Sequence, residues 1–283
     1  MVLRLLDTSN SIYSLERLGM SDSDRKKIED MIVKPHGMVL STGPTGSGKS
    51  TSLYSILKKI NQPDIHIITV EDPVEFRIEK IRQVQLNRKA GMSFASGMRS
   101  ILRQDPDVIM VGEIRDFETA TLAVQASLTG HMVFSTLHTN DAAGAITRFI
   151  DMGIEPFLVS STMTVSFAQR LVRKVCPNCM TTYDPSEEVL KAWGINNKDG
   201  ANFVKGKGCF NCMHTGYKGR TGIYEVLIID ETIQDLILKR QSSHEIHQSA
   251  LKSQKFTSLR ENAAEKAIKG ITTLEEAASA VLL

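Results

Sequence analysis

The residues Gly43-Pro44-Thr45-Gly46-Ser47-Gly48-Lys49-Ser50, followed by Thr51, have the types and spacing to hold a polyphosphate. They fit G-x-x-x-x-G-K-[ST], in which glycines let backbone N–H groups turn toward an anion. In such a loop Lys49 reaches the β- and γ-phosphates and the Ser50 hydroxyl binds Mg²⁺. The context agrees with the motif. Met38–Thr42 is a short apolar run of a buried strand, and Leu53, Ile56, Leu57 and Ile60 recur at helical spacing. A helix starting there adds its partial positive charge to the cradle.

Hydrolysis of a bound nucleotide needs a group to orient water and a group to hold Mg²⁺. In Val70-Glu71-Asp72-Pro73-Val74-Glu75-Phe76, three carboxylates leave one strand end, and Pro73 makes Glu71 and Glu75 project differently. One can polarise water while another holds metal; a solvated acidic turn has the same spacing. The run Asp107-Val108-Ile109-Met110-Val111-Gly112-Glu113 is similar to the second nucleotide motif of P-loop enzymes, with Gly112 standing where the metal-binding Asp is common. Glu113 then takes that work through a water of Mg²⁺. His131 and His138 flank a further strand and lie about 23 Å apart at ~3.3 Å per residue, too far to touch one phosphate. His138 is the γ-phosphate sensor of the pair; His131 is expected to hold a structural or inter-subunit hydrogen bond. Arg99, Arg103 and Arg115 can stabilise phosphate charge or simply pair with Asp105, Asp107 or Asp116.

Cys176-Pro177-Asn178-Cys179 and Cys209-Phe210-Asn211-Cys212 are two knuckles with 29 residues between them. Four thiolates complete a closed tetrahedral Zn²⁺ site, which is structural because no position remains for water. Zinc is favoured over unmetalled thiols and over disulfides, since no export signal precedes the cysteines. The expected result is a small lobe, lacking its own core, stapled by metal.

A length of 283 residues and a hydrophobic fraction of 41% suit two domains with true cores. No apolar run approaches the roughly 18 residues of a membrane span, which predicts a soluble chain. From Gly37, strands alternate with helices: Ile65–Val70, Asp107–Val111 and Met132–Leu137 read as strands, Ser93–Arg103 and Phe117–Leu128 as helices. Asp141 caps a helix through Ile150. This pattern predicts an α/β fold with a mostly parallel sheet whose ligands collect at the strands' carboxyl ends. Ser23 or Asp24 is the expected cap of an earlier helix, Arg25–Val33. Thr273–Glu276 forms a capping box before a terminal helix. Met1–Leu6 reads as the end of a strand whose partners are absent, so the chain is expected to be a fragment. The expected divisions are 1–35, remnant and linker; 36–172, nucleotide core; 173–222, cysteine lobe; and 223–283, a helical C-terminal region.

From about Arg4 to the C-terminus the chain resembles the C-terminal part of the secretion ATPases of type II secretion and type IV pilus assembly. GPTGSGKST (Gly43–Thr51), VEDPVEF (Val70–Phe76), ILRQDPDVIMVGEIRD (Ile101–Asp116), TGHMVFSTLHT (Thr129–Thr139), the CPNC and CFNC pair and GYKGRTGIYE (Gly216–Glu225) carry the resemblance. It implies a RecA-like core in a hexameric ring, with ATP held between subunits. It implies Glu75 as catalytic base, Glu113 as the Mg²⁺-linked acid and His131 and His138 as a histidine box. Arg99, Arg103 and Arg4 are implied to assist hydrolysis, Arg4 from the tail of a preceding domain. Implied partners are an inner-membrane platform protein and associated secretion or pilus components, with a cytoplasmic location peripheral to that membrane. Pilus retraction ATPases share the core but lack the cysteine lobe, so the resemblance favours a secretion or assembly motor.

Two other readings share the phosphate loop. A nucleic-acid motor would want basic and aromatic residues along a ring pore. The chain is only 6% aromatic, and the segment Arg170–Gly222 instead carries the basic excess, nine Lys/Arg against four Asp/Glu, so no nucleic-acid partner is expected. A nucleotide switch would bind without turnover. Replacing Lys49 by Ala is expected to abolish phosphate release; wild-type release from that variant would remove the phosphate-loop assignment.

Overall fold

The computed structural model describes residues 14–195, 200–253 and 255–281; the strand remnant expected at Met1–Leu6, with Arg4, lies outside the described residues. The first helix, α1 (Asp22–Ile32), is capped by Ser21, whose hydroxyl accepts from the Asp24 amide at 3.0 Å. The cap falls before the expected Ser23 or Asp24 because Asp24 is buried inside the first turn and pairs with Lys27 at 2.7 Å. Strand β1 (Gly37–Thr42) is buried at every position, as a strand covered on both faces must be. The phosphate loop leads into α2 (Lys49–Ile60), which begins before the apolar stripe predicts because Gly48, at φ +90°, is its N-cap. Leu53, Ile56 and Leu57 of α2 are buried. Each such side chain contributes about 1.5–3 kcal/mol by leaving water.

The chain continues through β2 (Ile67–Glu71), β3 (Arg82–Gln85), α3 (Phe94–Ile101), β4 (Val108–Val111), α4 (Phe117–Leu128), β5 (Met132–Leu137), α5 (Ala142–Asp151), α6 (Pro156–Thr162) and β6 (Met163–Val175). β7 (Met180–Thr182) and β8 (Val204–Gly206) form a separate sheet, and β9 (Tyr217–Ile228) completes the main one. The sheet order is β3-β2-β4-β5-β1-β6-β9. β1 pairs parallel with β5 and β6, β2 with β3 and β4, and β4 with β5. The carboxyl ends of β1, β2, β4 and β5 therefore open on one edge. The helices that start from this edge are capped by short polar side chains. Ser93 caps α3, Asp116 accepts from the Thr119 amide at 2.8 Å, and Asp141 from the Gly144 amide at 2.6 Å.

Contacts divide the described chain into two compact units whose boundaries are not those of the four sequence segments. The first holds residues through Gln169 together with Glu225–Phe256, and so includes α8 (Glu231–Leu238) and α9 (Ser243–Lys252). The second holds Arg170–Tyr224 and the residues from Thr257 onward. It contains β7 (Met180–Thr182), α7 (Glu187–Trp193), β8 (Val204–Gly206), α10 (Leu259–Ile268) and α11 (Leu274–Val281). β7 and β8 form an antiparallel hairpin. This unit has an apolar core: Leu190 and Phe203 pack with Ala267 and Leu274 from α10 and α11. Half of that core arrives from far downstream, so local composition hides it. The capping box expected at Thr273 forms by half. Thr273 accepts from the Glu276 amide at 3.1 Å, while the Glu276 carboxylate pairs with Arg173 at 2.6 Å. Among the described residues no helix is long and apolar enough to cross a membrane.

Gly43 ties the first unit's sheet to the loop. At φ +144°, a Cβ there would lie 2.4 Å from the Gln169 carbonyl oxygen and 2.8 Å from the Ser47 Oγ. Gly43→Ala is expected to cost ~2–3 kcal/mol, through strain at one backbone position. Equilibrium urea unfolding would measure it, and an unchanged midpoint would contradict the packing described here.

Candidate functional site

The phosphate loop closes on itself. Lys49 is 8% exposed, and its ammonium donates to the carbonyl oxygens of Gly43 at 2.7 Å and Pro44 at 3.0 Å. Burial pulls the Lys49 pKa from its ordinary 10.5 down to about 8, against the opposing charge of Glu113. A lowered lysine pKa means that the folded chain binds this proton more weakly than the unfolded one. The group thus works against folding at pH below about 8, and that cost fades as pH rises toward 10.5. Ser47 is buried, and its hydroxyl has no partner among the described residues. An orphaned hydroxyl and an ammonium satisfied only by its own loop suit an incoming anion. Ser50 at the α2 N-terminus is exposed, where a Mg²⁺ ligand must be. Pro44, Thr45 and Gly46 form the exposed lip, and Thr51 is half-buried behind them.

The loop is fastened to β5. Thr42, the last residue of β1, shares a hydroxyl hydrogen bond of 2.6 Å with Thr139, and the Thr139 amide donates to the Thr42 oxygen at 2.9 Å. Ser52 of α2 donates to Gln169 of β6 at 2.7 Å. Neither clasp has a sequence signature.

The acidic turn after β2 sorts its carboxylates by depth. Glu71 is buried and accepts from Thr69, the Tyr54 hydroxyl and, at 3.2 Å, the Gln83 amide. Burial raises its pKa, against those three hydrogen bonds. Its acceptors are spent inside the protein, so Glu71 is not the water-facing acid the sequence allowed. Asp72 turns outward and pairs with Arg88 at 2.6 Å. Glu75 is half-buried, its backbone amide donating to the Tyr54 hydroxyl at 3.2 Å.

Glu113 follows β4 and is 14% exposed. One of its oxygens lies 2.5 Å from the Arg115 guanidinium and 3.5 Å from Nε2 of His138, beyond the carboxyl end of β5. Its charge also acts on Lys49. Thr136 donates to the Gly112 carbonyl at 2.7 Å, and the Gly112 amide donates to Val70 at 2.8 Å, so both neighbouring strands hold the backbone beneath it. Gly112 is explained by space. A Cβ there would meet the Val70 oxygen at 3.3 Å and both the Glu71 Cα and Phe94 ring at 3.4 Å. The inner position is thus tight for a side chain, and the acid stands one residue further out.

The remaining predicted residues lie apart from this cluster. His131 precedes β5, with Nδ1 2.9 Å from the Ala126 carbonyl and 3.2 Å from the Thr129 hydroxyl. Arg99 pairs with Glu118 across α3 and α4, and Arg103 is exposed. These ion pairs correct the expected partners: Arg99 takes Glu118 and Arg115 takes Glu113. Asp107 instead accepts from the His66 amide, and Asp116 caps α4.

The four cysteine sulfurs lie within 4.8 Å of one another. The pairs Cys176–Cys209, Cys179–Cys212 and Cys209–Cys212 are 3.9, 3.8 and 3.7 Å apart. Tetrahedral zinc with Zn–S of ~2.3 Å sets sulfurs about 3.8 Å apart. Burial pushes Cys179 up to about 12. It pushes on Cys212 too, but N–H groups of Cys209 and Gly216 donate to that sulfur and hold it at about 6. The set fits a structural zinc ion held by Cys176, Cys179, Cys209 and Cys212.

A family model described as Type II/IV secretion system protein matches residues 1–279. The chain belongs to that family. The Type II secretion system protein E of Aeromonas hydrophila is 52% identical over 97% of this chain and 54% of its own length. The Type IV pilus assembly ATPase PilB of Thermus thermophilus is 49% identical over 97% of this chain and 31% of its own. The chain thus spans about half, or less, of these relatives. Among solved structures, the pilus retraction motor PilT with bound ADP aligns with a TM-score of 0.72 at 30% identity, covering 96% of this chain and 68% of that one. The Legionella pneumophila ATPase DotB aligns at 0.67 and 26%, covering 94% and 64%.

Of the residues singled out in the sequence, the structure brings Lys49, Glu113 and His138 to one sheet edge and the four cysteines together. Motif reading misses Tyr54 and Gln83, which hold the acidic turn, because a tyrosine on a helix and a glutamine on a strand carry no spacing signal. Cys179→Ser is expected to lower bound zinc from about one ion per chain to near zero. Trp193 is the protein's single tryptophan and packs on the second unit's core, so its emission should shift red. Metal analysis finding no zinc in the wild type would end the assignment.

Proposed function

We propose that this chain is the motor portion of an ATP hydrolase that powers type II secretion or type IV pilus assembly by extending a pseudopilus or pilus. The observation that carries the reading is the convergence, at one sheet edge, of the Lys49 loop with Glu113 and His138. Lys49 and the loop amides from Gly43 to Thr51 would hold the phosphates, and Ser50 with Glu113 would hold Mg²⁺, which supplies charge neutralisation when bound. Glu75 would accept the proton of the attacking water, giving ADP and phosphate. His138, beside Glu113, would sense the terminal phosphate, and Arg115 pairs with that acid at 2.5 Å. Arg99, Arg103 and His131 lie outside this cluster; the arginines, with Arg4, would assist hydrolysis, and His131 would hold a structural or inter-subunit hydrogen bond.

Family membership and the likeness to an ADP-bound retraction motor support nucleotide turnover. The names of the relatives support secretion or pilus assembly as the work done. A hexameric ring would place ATP between subunits, and an inner-membrane platform protein would receive the motion on the cytoplasmic side. The zinc ion would brace the second unit without taking part in chemistry.

Glu75→Gln is expected to lower kcat by ~10²–10⁴-fold, the usual contribution of a general base, while nucleotide affinity stays within about twofold. Steady-state phosphate release with fluorescent-nucleotide titration measures both. Unchanged kcat would remove Glu75 from the chemistry.

A further inference from the structure

We propose that Tyr54 is a positioning residue for Glu75, fixing the acidic turn to the helix that carries the phosphate loop. The inference rests on the reading of Glu75 as the base. Tyr54 lies on α2, four residues after Ser50, so both side chains emerge on one face of that helix. Its ring is 1% exposed and packs edge-on against Phe76, centroids 6.3 Å apart. A buried phenol must satisfy its hydroxyl, and this one does so twice. The O–H donates to the Glu71 carboxylate, and its oxygen accepts from the Glu75 amide at 3.2 Å. Amide, phenol and carboxylate thus form one polarised chain from the turn to the end of β2.

Gln83 secures the turn from the other side. Its amide nitrogen donates to Glu71 at 3.2 Å and to the Phe76 carbonyl at 2.9 Å, and its oxygen accepts from the Ile78 amide at 2.7 Å. The residues flanking Glu75 are therefore held from α2 and from β3. Glu71 anchors both holds. Buried, with three donors converging on it, the carboxylate serves as a fixed post and not as a base. The consequence for catalysis is registration. The helix that presents Lys49 and Ser50 to the phosphates also sets the backbone of Glu75, so the base and the phosphate cradle cannot drift apart.

Tyr54→Phe removes the hydroxyl and keeps the ring. The expected result is kcat lowered ~10–100-fold, the cost of a small misplacement of a catalytic group, with KM and nucleotide affinity within about twofold. A purely structural role would be the neutralising of Glu71. In that case the double variant Tyr54→Phe/Glu71→Gln, which replaces the buried carboxyl by a neutral amide, would recover kcat. Under positional control it stays low, because the Glu75 amide still lacks its acceptor. Amide exchange of residues 74–78 supplies a further readout: Glu75 should be protected in the wild type, and should exchange faster in Tyr54→Phe. Wild-type kcat in Tyr54→Phe, recovery in the double variant, or an unprotected Glu75 amide in the wild type would each overturn the proposal. If Glu75→Gln turns over normally while Tyr54→Phe is slow, the reading of Glu75 fails and the importance of Tyr54 must lie elsewhere.

Discussion

The site depends on one constraint: a chain cannot bind a polyanion with its backbone unless the backbone turns its amides inward and leaves them without internal partners. Glycines at positive φ make that turn possible between β1 and α2. The same turn brings Lys49 back over the loop, where it settles on the Gly43 and Pro44 carbonyls. These are weak substitutes for phosphate oxygens. The loop is thus organised in advance, with Ser47 buried and unsatisfied and an ammonium whose pKa has fallen because it is buried. The structural cost is borne by the clasps around it: Thr42 to Thr139, Ser52 to Gln169, and a Gly43 that no side chain can replace without striking the Gln169 carbonyl.

Four adjacent parallel strands supply the rest. Each ends on the same edge, and each delivers one kind of group: the cradle from β1, the acidic turn from β2, Glu113 from β4 and His138 from β5. Depth and partners separate the acids of the turn. Glu71 and Glu75 stand four residues apart with the same chemistry. Glu71 is enclosed and saturated by donors, whereas Glu75 remains half-buried at the rim. Enclosure favours the neutral acid, hydrogen bonds favour the carboxylate, and in Glu71 burial is the larger effect. Glu113 sits between these extremes in depth, 14% exposed and paired with Arg115.

The second unit solves a different problem. Its cysteine segment is rich in turns and poor in apolar periodicity, so it needs both a metal-sized knot and borrowed side chains. The knot comes from two knuckles whose sulfurs stand at tetrahedral spacing. The borrowed side chains come from α10 and α11. Either contribution alone would leave short strands such as β7 and β8 with little to rest on.

Local chemistry could be read from the chain because it is written in consecutive residues. The phosphate loop, the two knuckles, the Asp141 cap and the alternating strands and helices each need only near neighbours, and each stands where the spacing put it. The strands β3, β6, β7, β8 and β9 went unread, since their burial is decided by partners distant in sequence. So did the true cap of α1, the core of the second unit and the ion pairs of Arg99 and Arg115. Above all, nothing in VEDPVEF says which glutamate is enclosed. That was decided by Tyr54 and Gln83, brought from a helix and a strand on either side of the turn. A hydrogen bond depends on where two groups lie in space, and only the packed sheet places them.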